Sequence, residues 1–316
     1  MTPKPKIFLI VGPTACGKTS ASIIVAKRIG AEIISADSIQ VYRGLDIGSA
    51  KPTADEMDGV VHHLIDCVDI ADTSYNVSAF RERAIECING IISRGRIPLI
   101  VGGTGLYVNS LIYPLDFSSA EPCFERRDEL AAMENAQPGK LHEMLSAIDP
   151  IAAARIHVND MKRIIRAIEV FEQTGKTLTA HGGDFANSRG EDILFEPVIA
   201  GVTMDRRLLY ERIEQRVDSM MRRGLLDEVK TIIDKGYSPG LPSLQGLGYK
   251  QLIMHLNGEL SLDEAVKLIK RDTRRFAKRQ VSWFKRDKRI RWFETDGNSI
   301  ELADAICGYF EEHLLG

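Results

Sequence analysis

A glycine-bounded loop near the N-terminus is the clearest chemical signal in the sequence. Residues 12–19 read Gly-Pro-Thr-Ala-Cys-Gly-Lys-Thr, which matches the phosphate-binding pattern G-x-x-x-x-G-K-[ST] between a strand and a helix. Backbone N–H groups and the helix N-terminus attract an anion there, and the lysine adds a full positive charge. We predict that the following residues bind a diphosphate: Gly12, Pro13, Thr14, Ala15, Cys16, Gly17, Lys18 and Thr19. The Thr19 hydroxyl is the expected protein ligand of a Mg²⁺ ion that the diphosphate also binds.

The loop by itself leaves the reaction open. A kinase or an NTPase would use the same loop for ATP or GTP, and a prenyl diphosphate would fit it equally well. The residues that lie opposite the loop must therefore distinguish these possibilities.

Two other segments place polar side chains beyond predicted strands. Asp37 follows a buried strand, and ligands of open parallel sheets bind at the carboxyl ends of strands, so we expect Asp37 to face the same crevice as Lys18. Its carboxylate is a candidate general base, although an Asp at this position also commonly caps the next turn. The glycine-rich run 102–105 places the Thr104 hydroxyl at the crevice as a substrate contact. A plain turn before a helix is the alternative for that run.

Short apolar runs that alternate with helical patterns must position these residues. This alternation predicts an α/β fold, a P-loop NTPase-like parallel sheet flanked by helices. The predicted strands are Lys6–Val11, Glu32–Ala36, His62–Asp66, Pro98–Val101, Pro197–Val202 and Arg291–Phe293, and the first helices are Lys18–Arg28 and Ser78–Arg94. We predict a core over residues 1–115 and 197–316, interrupted by an α-helical insertion over residues 116–196.

Composition excludes several classes of protein. With 44% hydrophobic and 27% charged residues among 316, the chain is neither disordered nor collagen-like. Its apolar runs are far shorter than the roughly 20 residues of a membrane span, and the N-terminus lacks a secretory signal, so we expect a cytoplasmic protein. Five scattered cysteines without C-x-x-C spacing argue against a disulfide framework or a zinc site. His62 and His63 point to opposite faces of a strand and cannot grip one ion.

The charge of the chain is uneven. The formal net charge is -3, yet residues 267–291 contain 12 Lys or Arg and two acids. Such a segment attracts phosphates independently of sequence, as in nucleic-acid binding. A solvated helix face is the alternative.

Six blocks of the sequence together resemble the tRNA dimethylallyltransferase family. They are Gly12–Thr19, Asp37–Tyr42, Asp46–Pro52, His62–Asp66, Gly102–Tyr107 and Gln245–Lys250. The resemblance extends over nearly the whole chain, including the closing Arg279–Phe284. Cys16 stands where the family usually has Ser, and Ser49 where it often has Thr.

The resemblance implies an activity and a set of residues. Members of the family transfer a dimethylallyl group from dimethylallyl diphosphate to N6 of the adenosine 3′ of the anticodon. It implies that Asp37 removes the amine proton beside Thr104, that Mg²⁺ is the cofactor, and that Arg206 and Arg212 clamp the diphosphate. The implied tRNA-binding residues are Asp37, Ser38, Ile39, Gln40, Thr104, Arg127, Met161, Lys162, Arg163, Ile164, Ile165, Gln245, Gly246, Tyr249 and Lys250. The expected partners are tRNA, through its anticodon stem-loop, and the donor, with the protein a monomer that does not contact membranes.

Three alternatives remain open at this point. A P-loop kinase or NTPase acting on a small molecule would remove the γ-phosphate of ATP. In an RNA-binding module whose loop only senses a nucleotide, replacing Asp37 would leave function unchanged. An enzyme acting on free adenine nucleotides would have little use for the basic segment.

Overall fold

The computed structural model of the protein describes residues 4–114, 123–181 and 193–314. The chain divides into two compact units, one formed by Met1–Ile112 with Ile193–Gly316 and the other by Tyr113–Asp192. Residue 116, where the insertion was predicted to begin, lies outside the described residues. Within the described ranges, the helices are too short or too polar to cross a bilayer.

A parallel sheet forms the centre of the first unit. Its strands are β1 (Lys6–Val11), β2 (Ala31–Ala36), β3 (His62–His63), β4 (Ile97–Gly102), β5 (Glu196–Thr203) and β6 (Arg291–Glu294). Six strands lie in the order β3-β2-β4-β1-β5-β6, and all neighbouring pairs are parallel. β1 is central, so Phe8 lies between Leu99 and Val198. Because parallel strands are covered on both faces, they read as continuous apolar runs. The α/β prediction is confirmed.

Helices of the first unit cover this sheet and extend from its edges. They are α1 (Lys18–Ile29), α2 (Ala54–Met57), α3 (Val77–Ser93), α4 (Gly105–Ile112), α10 (Arg206–Arg222), α11 (Leu225–Asp234), α12 (Tyr249–Leu256), α13 (Leu262–Phe284) and α14 (Ser299–Leu314), with a 3₁₀ turn at Pro242–Gln245; α5 to α9 belong to the second unit. The Phe310 ring of α14 meets Phe8 of β1 edge-on at 4.9 Å between centroids. The Phe80 ring of α3 stacks on Tyr107 of α4 at 4.1 Å. These contacts fix helices against the strands that lead into the loops.

The second unit is helical in its described residues. It contains α5 (Phe124–Ala136), α6 (Lys140–Ile148), α7 (Pro150–Arg155), α8 (Met161–Thr174) and α9 (Leu178–His181). Leu130, Leu141, Leu145, Ile164 and Ile168 form its core and are all 0% exposed. The side chains of α5, α6 and α8 therefore pack around one apolar centre.

One predicted strand is much shorter than expected. The prediction of a strand over His62–Asp66 is wrong beyond His63 because Leu64 (φ 60°) and Asp66 (φ 52°) adopt left-handed backbone conformations. The Asp66 N–H donates to the carbonyl of Gln40 at 3.2 Å, and its carboxylate pairs with Lys51, which is 7% exposed. Balancing a buried ammonium takes precedence over extending the ladder.

Substitution of alanine at two glycines of the first unit should have opposite effects on stability. A Cβ on Gly102 would lie 2.3 Å from the carbonyl oxygen of Ala36, so Gly102→Ala should lower the free energy of unfolding by about 1–3 kcal/mol. A Cβ on Gly308, inside α14, meets no atom within 4 Å, so Gly308→Ala should raise it by about 0.5–1 kcal/mol. Urea unfolding of both variants measures the difference, and equal effects would contradict the close approach of β4 to β2.

Candidate active site

The loop after β1 has the backbone of an anion-binding nest. Gly12 (φ 149°), Ala15 (φ 65°) and Gly17 (φ 89°) all have positive φ, and α1 begins at Lys18. A Cβ on Gly12 would lie 2.5 Å from the carbonyl oxygen of Val202 on β5, so only glycine fits. The turn directs successive N–H groups toward the N-terminus of α1, where an anion is favoured.

Lys18 folds back over this loop. Its Nζ donates to the carbonyl of Pro13 at 2.5 Å and lies 3.7 Å from the sulfur of Cys16. Cys16 itself is 0% exposed and its side chain belongs to the hydrophobic core, so only its backbone is expected to serve the predicted diphosphate site. The predicted diphosphate-binding residues that line the adjoining cleft are Thr14, Ala15, Gly17, Lys18 and Thr19.

That cleft is large and joins the predicted catalytic groups. Its volume is about 1160 Å³, and its walls include Lys18, Asp37 and Thr104 together with parts of α10 and α13. Single small-ligand pockets are typically about 300–1,000 Å³. The cleft therefore has room for more than one small substrate group.

Asp37 caps the turn that follows it, and its predicted role as general base stays a prediction. Its Oδ1 accepts the N–H groups of Ile39 at 2.9 Å and Gln40 at 3.3 Å, which caps the following turn. Its Oδ2 makes no hydrogen bond within the described part of the chain. One oxygen thus fixes the carboxylate, and the other remains available to accept a proton.

Thr104 ties the glycine-rich loop to the segment after β2. The N–H of Ser38 donates to the Thr104 hydroxyl at 3.2 Å, and the N–H of Thr104 donates to the carbonyl of Ala36 at 3.2 Å. Thr104 and Asp37 are therefore held on neighbouring loops of the same cleft.

A carboxylate of α11 anchors a further loop. Glu228 accepts the N–H groups of Asp46 (3.2 Å), Ile47 (2.7 Å) and Gly48 (3.2 Å) and the Tyr249 hydroxyl at 2.7 Å. Tyr249 is 0% exposed, and burial, reinforced by Glu228, raises the pKa of its phenol. The ring packs inside the protein, so the predicted contact of Tyr249 with tRNA, which stays a prediction, would have to involve its backbone. Sequence analysis did not identify Glu228.

The arginines of α10 have different environments. Arg206 stacks over the Tyr210 ring at 5.3 Å and donates to its hydroxyl, in a separate shallow groove. Arg206 does not line the cleft that contains Lys18, and its predicted contact with the diphosphate stays a prediction. Arg212 and Arg216 line the cleft, and neither forms a hydrogen bond or ion pair with another described residue. Sequence analysis missed Arg216, although its i, i+4 spacing from Arg212 was a usable signal.

The environment of Arg216 favours an anion. Burial lowers the pKa of its guanidinium, and the negative charge of Asp37 opposes that shift. Arginine nevertheless stays charged in proteins, so its desolvation costs free energy that a bound anion would offset. Arg216 is thus a cation of the cleft that forms no hydrogen bond or ion pair with another described residue.

The predicted tRNA-binding residues of the first unit are mostly at the cleft. Its walls include Ser38, Ile39, Gln40, Gln245 and Gly246. Lys250 is exposed on α12.

Those of the second unit divide into exposed and buried side chains. Lys162 and Arg163 are exposed and Met161 is half-buried, whereas Ile164 is 0% and Ile165 8% exposed. The Ile164 side chain packs in the core of this unit, and the predicted tRNA contact of this residue stays a prediction.

Arg127 forms an ion pair with a buried carboxylate. Its Nη2 lies 2.7 Å and its Nε 3.0 Å from the carboxylate of Glu169, which is 1% exposed. Burial raises the pKa of the Glu169 carboxyl, but hydrogen bonds from Arg127 and Arg166 outweigh it and leave the pKa below its ordinary value. Arg127 therefore has a structural role, and its predicted contact with tRNA stays a prediction.

Ion pairs with α10 neutralise part of the basic segment on α13. Lys270 pairs with Asp218 at 2.6 Å and Arg274 with Glu214 at 2.6 Å, so acids of α10 neutralise two of its cations. Lys278 is exposed and has no ion pair within the described residues. Fewer cations of α13 are consequently available to attract phosphates than the number of Lys and Arg residues suggests.

The residues present fit a metal that is bound mainly by substrate. Among the described residues, no group of three or more His, Cys, Asp or Glu is arranged to hold an ion. Thr19 is exposed at the start of α1 and lines the cleft. Mg²⁺ characteristically takes one or two protein ligands and completes its shell with phosphate oxygens and water, which this arrangement permits.

Comparison with known proteins gives a consistent result. The chain matches the family model described as IPP transferase over residues 40–287. The tRNA dimethylallyltransferase of Desulforudis audaxviator is 46% identical over 314 residues, covering 99% of this chain and 100% of the relative. That of Carboxydothermus hydrogenoformans is 49% identical over 298 residues, covering 94% of each. The alignments of these relatives extend along most of the chain.

Solved structures share the fold. The full-length tRNA isopentenylpyrophosphate transferase of Bacillus halodurans aligns with a TM-score of 0.71 at 43% identity and covers 98% of both chains. A eukaryotic dimethylallyltransferase acting on tRNA aligns with a TM-score of 0.80 at 27% identity, over 98% of this chain and 80% of that one.

The guanidinium of Arg216 at the cleft generates a binding prediction. Arg216→Gln should weaken binding of pyrophosphate with Mg²⁺ about 10-fold to 100-fold, because charge-assisted hydrogen bonds to an anion are lost. Isothermal titration measures the affinity. Arg207→Gln is the matched control, because Arg207 lies on the same helix and pairs with Glu211. Equal affinities of the two variants would place the anion away from Arg216.

Proposed function

The chain belongs to the IPP transferase family of tRNA dimethylallyltransferases, and on that premise we propose how its residues perform the reaction. It transfers a dimethylallyl group from dimethylallyl diphosphate to N6 of the adenosine 3′ of the anticodon in tRNA. The observation that carries this mechanism is the shared cleft, in which Asp37 faces the same space as Lys18, Arg212 and Arg216.

The diphosphate end of the donor occupies the loop after β1. As the bond from the allylic carbon to the bridging oxygen breaks, its electron pair leaves with pyrophosphate and negative charge grows on that group. In this proposal Lys18, the loop N–H groups and the two cleft arginines stabilise that charge. Because they stabilise developing charge, they lower the barrier as well as bind the donor.

A magnesium ion fits beside the same group. Thr19 would hold it through its hydroxyl, and the ion would neutralise charge on the diphosphate when bound. The remaining ligands would come from the substrate and from water, since the described residues supply no acidic cluster nearby.

The acceptor is an adenine amine whose lone pair is delocalised into the ring. While the new C–N bond forms, the N6 proton passes to Oδ2 of Asp37, whose Oδ1 is held by Ile39 and Gln40. A positioned base of this kind contributes to the rate by removing the proton in the transition state. The target adenine must leave its stack in the anticodon loop to reach the cleft.

We also propose the donor, the RNA element that is recognised, the oligomeric state and the location. The donor is dimethylallyl diphosphate, and the protein recognises the anticodon stem-loop of tRNA. It acts as a monomer in the cytoplasm. Exposed cations such as Lys162 and Lys278 supply attraction for the RNA backbone, and Arg163, which pairs with Asp160 at 3.1 Å, supplies less.

Asp37→Asn isolates the proton transfer. Asn keeps an Oδ1 that accepts the N–H groups of Ile39 and Gln40, so the turn is preserved while the base is lost. We expect kcat to fall about 10²-fold to 10⁴-fold, with unchanged affinity for tRNA. The measurement is incubation with labelled dimethylallyl diphosphate, Mg²⁺ and total tRNA, followed by nucleoside analysis.

Asp37→Ala provides the comparison because it loses the turn cap as well. A fully active Asp37→Asn enzyme would refute the assignment of the base. Loss of the γ-phosphate from ATP, with tRNA left unprenylated by the unsubstituted enzyme, would instead support the kinase or NTPase alternative.

Salt dependence tests the basic helix α13. Affinity for the anticodon stem-loop should fall as NaCl rises from about 50 to 200 mM, because phosphate contacts release counterions. Lys278→Gln should reduce the slope of log affinity against log salt by about one. Lys270→Gln is the control and should change it less, because Asp218 already pairs with Lys270. A flat salt response of the unsubstituted protein would contradict phosphate contacts by α13.

A further inference from the structure

We propose that Gln280 is a positioning residue that holds the diphosphate-binding loop in its anion-binding conformation. The inference rests on the proposed function and adds a residue to the donor site. Gln280 acts through its hydrogen bonds to two loops and does not itself contact the reacting atoms.

The carboxamide of Gln280 joins three elements that are remote in sequence. Its Oε1 accepts the N–H of Thr14 at 2.8 Å, and its Nε2 donates to the carbonyl of Gly103 at 3.0 Å. Gln280 lies on α13, whereas Thr14 follows β1 and Gly103 follows β4. One side chain thus links the diphosphate loop to the loop that carries Thr104.

The fit around this amide is close. Gln280 is 6% exposed, and a Cβ on Gly103 would lie 2.1 Å from its Nε2. A backbone N–H on one side and a carbonyl on the other permit only one orientation of the amide. The contact is therefore specific in geometry as well as buried.

Fixing Thr14 bears directly on anion binding. Thr14 lies two residues beyond Gly12, at the point where the loop turns away from β1, and Ala15 follows with φ 65°. A loop whose N–H groups already converge does not lose conformational freedom when the anion binds, so preorganisation raises affinity. Without the carboxamide, the Thr14 N–H and the Gly103 carbonyl would be buried without partners or would shift to find others.

The chain contains a matched control in Gln251. It is 5% exposed, its Oε1 accepts the N–H of Gly248 at 3.0 Å, and its Nε2 donates to Asp272 of α13 at 3.2 Å. It therefore bridges a backbone N–H and an acceptor as Gln280 does, but neither partner belongs to the diphosphate loop.

The first experiment compares Gln280→Met with Gln251→Met. Both remove a buried carboxamide and keep side-chain length, so both should lower the thermal midpoint. Gln280→Met alone should weaken binding of Mg²⁺-pyrophosphate about 10-fold and raise KM for dimethylallyl diphosphate, with the Kd for tRNA unchanged. Titration calorimetry and steady-state kinetics measure these quantities.

Gln280→Glu provides a second test, the pH dependence of pyrophosphate affinity, which general destabilisation of the protein would not change. The ionised carboxylate cannot donate to the Gly103 carbonyl, and burial raises its pKa. Below that pKa the protonated acid donates to Gly103 and still accepts from Thr14, as Gln280 does. The loss of affinity for Mg²⁺-pyrophosphate in Gln280→Glu, relative to the unsubstituted enzyme, should therefore become smaller as the pH falls from about 8 to 5. The loss in Gln280→Met should stay constant over this range.

The outcomes separate this inference from the proposed function. Equal pyrophosphate affinities for Gln280→Met and Gln251→Met, or a pH-independent deficit for Gln280→Glu, would overturn the role of Gln280. Failure of the unsubstituted enzyme to prenylate tRNA, while it still binds pyrophosphate, would overturn the proposed function and leave the loop geometry intact.

Discussion

The tight turn of backbone between β1 and α1 is the constraint on which the site depends. Positive φ values at Gly12, Ala15 and Gly17 bring N–H groups toward one point, and convergence of like partial charges needs support from the surrounding chain. The carbonyl of Val202 lies directly behind Gly12, and the Gln280 carboxamide takes the Thr14 N–H. The sheet order, with β1 between β4 and β5, brings these supports together.

The distribution of cations follows from the same requirement. Lys270 and Arg274 pair with acids of α10, whereas Arg212 and Arg216 have no partner among the described residues. Ion pairs on an exposed surface contribute little to stability, but they remove positive charge from places where a polyanion would otherwise bind. Within the described part of the chain, positive charge that forms no ion pair is therefore left in the cleft, where a diphosphate would be bound.

Local patterns predicted the features that depend on local chemistry. The loop at residues 12–19 and the strand Lys6–Val11 were predictable because phosphate binding and burial on both faces each impose a recognisable pattern. Asp37 was placed correctly at the cleft because strand ends share one edge of a parallel sheet.

Features set by tertiary contacts were not predictable in this way. β3 stops at His63 because Asp66 turns to pair with Lys51. Tyr249, in a block that resembles the family, is buried against Glu228, and a motif does not distinguish a structural from a ligand-binding member. Gln280 meets its two partners only after the chain has folded, so its spacing carried no signal. Arg216 did carry one, in its spacing from Arg212.

The hydrogen bonds of each carboxylate, more than its position in the sequence, distinguish the candidate general bases. Glu228 accepts three backbone N–H groups and a phenol, and Asp66 pairs with a buried lysine, so both carboxylates are occupied by the fold. Asp37 has only one oxygen engaged. A loop typical of phosphoryl transfer stabilises charge on a departing diphosphate equally well when the bond that breaks is to carbon, because the charge develops on the same group. In the proposed mechanism the group opposite the loop is therefore a carboxylate with one oxygen fixed by the fold and one that accepts the amine proton.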